Sequence, residues 1–419
     1  MTVGRLITRR DCLGIAGSAV ATAAIGRQVE GTERLKPKTV AAVATVYGPG
    51  SHADVILGKI MEGWKQDGGP GPALKLASLY VEQQPSDDLS VGMAKKHGVP
   101  MFDSIEKAVT VGGNSIPVDG VISIAEHGDY PFNDQGQHLY PRRRFFEEIT
   151  DAFQKYGRVV PVFSDKHLGP EWADAKWMYD RARSLNVPFM AGSSLPVSFR
   201  TPAIDVPMNC DIEAAVGIGY DGLDIYGAHA LDCFQCMVER RRGAEAGVKW
   251  VQYFEGDAVQ KALNDGTVPR DVFDAALNVV PKANGNVPYR LAPREALFLF
   301  QYEDGLLGAQ FMLQSVNRTA VALKLRGRSE PVATQFEERT EPRHPHFAYL
   351  LKGIERMMHT GKPSYSVERT LLTSGILDRA ITSRAQGGKR LETPELAIRY
   401  RSIDYPHAPH PELTSDPRR

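Results

Sequence analysis

The sequence predicts an α/β protein: a Rossmann-type doubly wound parallel sheet, followed by an α+β domain with a largely antiparallel, open-faced sheet. Three observations predict it. Strand-like apolar runs alternate with helical patterns from residue 39 to about 191, the order that builds a parallel sheet with helices on both faces. Those runs are apolar throughout rather than at every second residue, as in strands buried on both sides. After Gly192-Ser193-Ser194-Leu195-Pro196 the alternation stops, and Glu303-Asp304-Gly305 reads as a hairpin turn between two strands.

The elements follow in order. Residues 39–47 are a β-branched, apolar first strand, and 51–64 carry helical spacing through Val55, Ile56, Ile60 and Trp64. A Gly/Pro loop at 67–72 leads to a second strand, 74–81, ending at Glu82. Ser86-Asp87-Asp88 offers an N-cap and acidic first turn for a helix reaching His97. A short strand at 99–102 precedes a capping-box start, Asp103-Ser104-Ile105-Glu106. Strands at 118–125, 159–163 and 187–191 alternate with helices at 143–156 and 170–185. In the second half, strands are expected at 214–220, 248–254, 295–302, 306–313 and 320–325. Helices are expected on one face of that sheet, at 228–241, 257–264, 271–279, 346–359 and 366–384.

These patterns divide the chain into a signal segment at 1–30, a dinucleotide-binding domain at 38–195, a substrate and oligomerisation domain at 196–395 and an extended tail at 396–419. The signal reading rests on the twin arginine Arg9-Arg10, the weakly apolar run from Leu13 to Ile25, and small residues at Ala21 and Ala23. That combination marks Tat-type export, with a periplasmic destination and no membrane association once the signal is removed.

Composition excludes some classes. Lys+Arg and Asp+Glu are equal at 50 each, so no net field draws the chain to nucleic acid. Arg142-Arg143-Arg144 and Arg240-Arg241-Arg242 read as solvated helix faces beside acidic residues. Cys210, Cys233 and Cys236 would remain after signal cleavage, an odd number that makes no disulfide framework. Cys233-Phe234-Gln235-Cys236 lies within a helical pattern without a second such pair, so it reads as helix packing.

The chemistry is expected at the carboxyl ends of the strands, where open α/β sheets bind ligands. Gly48-Pro49-Gly50-Ser51-His52-Ala53 follows the first strand and opens a helix, the place for a phosphate-holding glycine turn. Glu82, ending the second strand, would hold ribose hydroxyls. The fourth strand ends in Glu126-His127-Gly128-Asp129, which assigns Glu126 and His127 to the cofactor and Asp129 to the substrate. Lys166, flanked by Asp165 and His167, sits where an ammonium could exchange a proton with a substrate hydroxyl. In the second half, Tyr226, His229 and Asp232 fall at a helix start, with His229 placed to complete an acid–base pair. The catalytic candidates are thus Lys166, His229 and Asp165, with His167, Tyr226 and Asp232 joining Asp129 on the substrate.

These residues resemble those of the glucose–fructose oxidoreductase, inositol dehydrogenase and MocA-like oxidoreductases, over roughly residues 38–400. The likeness is carried by the glycine turn, by Ala94-Lys95-Lys96-His97-Gly98-Val99-Pro100, by Asp165-Lys166-His167, by Gly227-Ala228-His229-Ala230-Leu231-Asp232 and by the Glu303-Asp304-Gly305 hairpin. Asp-Lys-His stands where the family has Glu-Lys-Pro, Pro49 interrupts the glycine turn, and Ile225 stands where an Asp often precedes the His. The resemblance implies NAD or NADP, tightly bound in an exported protein. It also implies a sugar, polyol or sugar-derived substrate, a homo-oligomer formed through the second sheet, and Lys166 as the catalytic residue. Two alternatives stay open: a non-catalytic carbohydrate-binding or scaffold protein on the same fold, and a metal-dependent hydrolase or isomerase using the His- and Asp-rich loops.

Overall fold

The computed structural model describes residues 35–281 and 295–410; the expected export segment and the last residues of the expected tail lie outside the described residues. Among the described residues the first sheet contains five strands, β1 (Lys38–Ala44), β2 (Leu74–Val81), β3 (Gly120–Ile124), β4 (Val162–Asp165) and β5 (Phe189–Gly192). They pair in the order β2-β1-β3-β4-β5, every pair parallel. The connecting helices are α1 (His52–Glu62), α2 (Ser90–His97), α3 (Ile105–Thr110), α4 (Arg142–Tyr156) and α5 (Trp172–Ser184). The doubly wound expectation holds. Val40 to Ala44 and all of β3 are buried on both sides, which explains their unbroken apolar runs.

Local boundaries differ from expectation where Pro or polar residues intervene. The strand expected at 99–102 is reduced to a single bridge between Met101 and Leu79, because Pro100 has no N–H to donate and the chain turns at once into α3. The helix expected to start at Ser86 starts at Ser90, with Asp88 accepting from the Ser90 amide at 3.1 Å and hydroxyl at 2.7 Å. The strand expected at 159–163 runs from Val162 to Asp165, so that Lys166 follows it directly. The helix start expected at Asp103-Ser104-Ile105-Glu106 is there, with Ser104 as its cap, the hydroxyl accepting from the Lys107 amide at 3.3 Å.

Among the described residues the second sheet has eight strands. They are β6 (Arg200–Thr201), β7 (Ile212–Tyr220), β8 (Val248–Glu255), β9 (Ala296–Tyr302), β10 (Leu307–Leu313), β11 (Ala320–Leu325), β12 (Val332–Phe336) and β13 (Leu391–Glu392). The order is β13-β8-β9-β10-β7-β11-β12-β6, antiparallel except for the parallel β10–β7 pair. The second-half helices are α6 (Ile225–Val238), α7 (Asp257–Asn264), α8 (Arg270–Val279), α9 (Pro345–Thr360) and α10 (Val367–Ala385).

Helix α6 and the later part of α10 pack on one face of this sheet, against Phe298, Phe300 and Met312. Helices α7 and α8 pack on the other, against Val216, Leu299 and Phe311. Helices were expected on one face only, leaving the other open for a partner subunit; α7 and α8 cover that face. Helix α9 packs back on the first sheet beside α1, burying Phe347, Leu351 and Ile354 with Val40 and Ala42. Helix α10 reaches both cores, with Val367 and Leu371 in the first and Leu372 and Ile376 in the second. The carboxyl ends of β3, β4 and β5 are thereby brought against the start of α6, and the site lies there.

Both arginine runs depart from a solvated face. Arg142 is buried at 1% exposure, and Arg241 is buried with its guanidinium on Glu245 at 2.8 Å. Cys233 and Cys236 are both buried inside α6, as helix packing requires. Among the described residues no helix is long and apolar enough to cross a membrane.

Candidate functional site

Lys166 takes a left-handed backbone conformation, φ 68°, as β4 gives way to the next loop. That conformation is costly for a residue with a Cβ, at about 1–2 kcal/mol, and is found at sites the surroundings over-determine. Here a backbone bridge to Gly192 on β5 fixes it. The turn aims the Lys166 ammonium at His229, on the second turn of α6, where Nζ meets the imidazole Nε2. Glu126, at the end of β3, lies 3.7 Å from the same ammonium through Oε1.

The hydrogen-bond pattern fixes the His229 tautomer. Burial, then the charge of Lys166, hold its imidazole well below the usual range, so it is neutral at pH 7. Nε2 faces an ammonium and must accept; Nδ1 then carries the proton and donates to the Ser193 hydroxyl oxygen. Ser193 is held in turn. Its Oγ accepts from the Leu195 amide at 3.1 Å, and its own amide donates to Asp232 at 2.9 Å. Thr373 donates to the other Asp232 oxygen at 2.7 Å. Gly192 makes this approach possible, because a Cβ there, at φ 128°, would stand 3.0 Å from Asp232 and 2.9 Å from Thr370.

The charges behind the pair are balanced. Arg142, on the first turn of α4, hydrogen-bonds the Glu126 carboxylate. Burial alone would raise the Glu126 carboxyl, but the Lys166 and Arg142 charges outweigh it and hold it below the usual carboxylate range. Asp165 is pushed up to about 6 by burial, and one of its oxygens accepts from His52 Nδ1 at 2.5 Å. Burial, then Lys166, holds His52 well below the usual range, so His52 is the neutral donor of that bond.

A cavity of about 480 Å³ opens over the Lys166–His229 pair. Glu126, His127, Tyr226 and His52 line it from the side of the first sheet and α6. Tyr220, Arg318, Glu338, His344 and His346 line it as well, and sequence reasoning had singled out none of these. A volume of this order with convergent polar groups on a partly apolar wall is the form of a small-molecule site. Glu338 is pushed up by burial, with the Tyr220 hydroxyl bonded to it as a partial offset. His346 lines the cavity, and its Nδ1 is buried without a hydrogen-bond partner.

Of the remaining sequence candidates only Gly50 borders this cavity; the others fall outside it. His167 turns away, with Nε2 3.4 Å from Arg142. Asp232 is the latch on Ser193, and Asp165 lies behind His52. Glu82 is taken by Arg144 and by the hydroxyls of Tyr130 and Tyr80, at 2.7, 2.7 and 3.2 Å. Asp129 is held by its backbone, which bonds the Gln83 side chain. Gly48, Gly50 and Ser51 line a smaller, neighbouring cavity of about 300 Å³; Gly50 and His127 border both. Ala53 is buried in the core around α1.

No protein-family model matches this chain, and no curated protein sequence matches it. Solved structures do match. GenD2 from gentamicin A biosynthesis, in complex with NAD, superposes with a TM-score of 0.56 at 13% identity, over 86% of this chain and 98% of that one. A probable dehydrogenase from Thermotoga maritima gives 0.54 at 12% identity, over 85% and 99%. The apo scyllo-inositol dehydrogenase from Lactobacillus casei gives 0.53 at 12%, over 85% and 98%. The chain has the fold of these inositol dehydrogenase-type oxidoreductases.

On that fold a dinucleotide would be sought along the glycine turn, and the residues there do not suit its pyrophosphate. β1 ends at Ala44, and the buried residues Thr45, Val46 and Tyr47 separate it from Gly48. In the usual fingerprint the first glycine ends the strand. The Gly50 amide, which should face a phosphate, donates instead to the Asp54 carboxylate at 2.9 Å. Pro49 has no amide proton. The Asp87 carboxylate stands 3.5 Å from where a Gly48 Cβ would be. Two carboxylates therefore occupy the helix start that should attract an anion. The bond from His52 to Asp165 also crosses the sheet's carboxyl edge from the α1 start to the β4 end. Among the described residues no group of three His, Cys, Asp or Glu side chains is arranged to hold a metal ion.

Proposed function

We propose that this chain is an oxidoreductase of the sugar and polyol dehydrogenase type, in which a small polyhydroxylated substrate binds in the 480 Å³ cavity and exchanges a proton with the Lys166–His229 pair. The observation that carries this reading is the contact of the Lys166 ammonium with a neutral, tautomer-fixed imidazole at the floor of that cavity. Such a pair can give a proton to a developing alkoxide from Nζ, and in the reverse direction the neutral amine so formed, held by His229 Nε2, can take one from a hydroxyl. Positioned acid–base catalysis of this kind contributes about 10²–10⁴-fold. Tyr220, Tyr226, Arg318, Glu338 and His346 supply donors and acceptors for several hydroxyls at once. The redox assignment is supported by the shared fold, with NAD or NADP as the class of cofactor that fold carries. Export through the twin arginine Arg9-Arg10 belongs to the same proposal.

A second reading is favoured by the Asp54 contact with Gly50: a cavity that binds a carbohydrate-like molecule without a dinucleotide. One experiment separates the two. The native protein is denatured and the released nucleotide assayed, and NAD and NADP are tested for their effect on the melting temperature. Released nucleotide, or a clear rise with either compound, supports the oxidoreductase. No nucleotide and no rise removes it and leaves the second reading.

A further inference from the structure

A second cavity of about 420 Å³ adjoins the first, and Ile225 and Tyr226, at the start of α6, line both. Its wall carries Phe132, 63% exposed, the one aromatic among the exposed large apolar side chains of the described residues. An apolar ring left in water forgoes burial of about 1.5–3 kcal/mol, part of which an occupant packed on it would restore.

Phe132 is fixed. One face stacks on His138, centroids 4.1 Å apart, and His138 stacks on Tyr140 at 4.0 Å. The loop that carries it is closed by a bridge between Phe132 and His138, and Asn133 Oδ1 accepts the amides of Gln135 and Gln137. Asp224 ties the loop to α6, accepting the His138 amide at 2.9 Å through Oδ2. Its Oδ1 is buried without a partner, and Gln135 and Arg384 line the same cavity. A rigid ring with one face free, in a cavity lined also by Asp224, Gln135 and Arg384, has the chemistry that receives a pyranose. The sugar's C–H face packs on the electron-rich ring, and its hydroxyls meet the polar rim.

We propose that this cavity is a second subsite of the same cleft, and that the substrate is a glycoside or disaccharide with one ring over Lys166 and the next against Phe132. The inference rests on the polyhydroxylated ligand of the proposed function. The test is isothermal titration of full-length protein, wild type and Phe132→Ala, with glucose, galactose and N-acetylglucosamine and with maltose, cellobiose, lactose and chitobiose. At least one disaccharide is expected to bind at least 10-fold more tightly than its monosaccharide, and Phe132→Ala is expected to erase that gain while leaving the monosaccharide unchanged. Monosaccharide binding with no gain for any disaccharide, or a gain that Phe132→Ala preserves, overturns the subsite alone. Absence of binding by any of these sugars overturns the polyhydroxylated ligand as well. Sedimentation of the same two proteins adds a control: self-association in the wild type that Phe132→Ala abolishes would assign the ring to a subunit contact and overturn the subsite.

Discussion

Replacing Asp165 with Asn tests the electrostatics beneath the site. Asp165 is 1% exposed, with one oxygen on His52 and the other without a partner. Burial is the largest influence on it, and Lys166, Arg142 and His127 offset that only in part, leaving the carboxyl at about 6 against 3.8 in a free chain. The folded protein therefore keeps this proton to about pH 6, while the unfolded chain releases it near 3.8. A group raised in this way favours the folded state most at low pH, and the contribution is lost as pH rises through the folded value. A shift from 3.8 to about 6 corresponds to about 3 kcal/mol. Asn has no proton to lose and still accepts from His52 through its amide oxygen. Urea unfolding, followed by tryptophan fluorescence at several pH values from 4 to 7.5, should show the stability difference growing by about 3 kcal/mol in the variant's favour, and then levelling. A flat difference, or one growing in the wild type's favour, would refute the reasoning. The latter would mean that Lys166 and Arg142 outweigh burial at this carboxyl.

The other predictions concern the pair, its latch and the glycine turn. Lys166→Met and His229→Asn should each lower turnover about 100-fold or more in steady-state kinetics, and the double variant should lose about as much as either single one, since the two act as a unit. Losses that multiply would show that they act separately. Gly192→Ala places a Cβ within 3.0 Å of Asp232 at φ 128°. It should cost about 1–3 kcal/mol of stability by denaturant unfolding, and should lower kcat by loosening Ser193 from His229. Asp54→Ala frees the Gly50 amide and removes a carboxylate from the turn. NAD should raise the melting temperature of this variant more than that of the wild type, and equal responses would show that Asp54 does not hold the turn closed.

Much of the first sheet is legible in the sequence because burial on both faces writes unbroken apolar runs, as in Val40 to Ala44. The strand at 99–102 reads the same way and fails, because one proline outweighs its apolar neighbours. β6 and β13, of two residues each, carry too little pattern to be read. Lys166 was legible because it directly follows a strand end, and His229 because it lies near the start of the helix after β7. Arg142 was not, since one buried arginine in a run of three resembles a solvated face; its place just after the polar loop following β3 was the available signal. Arg318 and Glu338 come from distant loops and His346 from the start of α9, and no local spacing links them to Lys166. The closing of the glycine turn by Asp54 had a readable trace, an acidic residue in the first turn of α1 four residues after Gly50. The positive helix start that would receive a phosphate receives this carboxylate just as well.

The central claim is that the cavity over Lys166 and His229 holds a polyhydroxylated small molecule. Mass spectrometry of the small molecules that co-purify with native protein tests it most directly, comparing wild type with Lys166→Met. A polyhydroxylated compound retained by the wild type and lost from the variant is the predicted result. Retention of the same compounds by both proteins, or of none by the wild type, would contradict it.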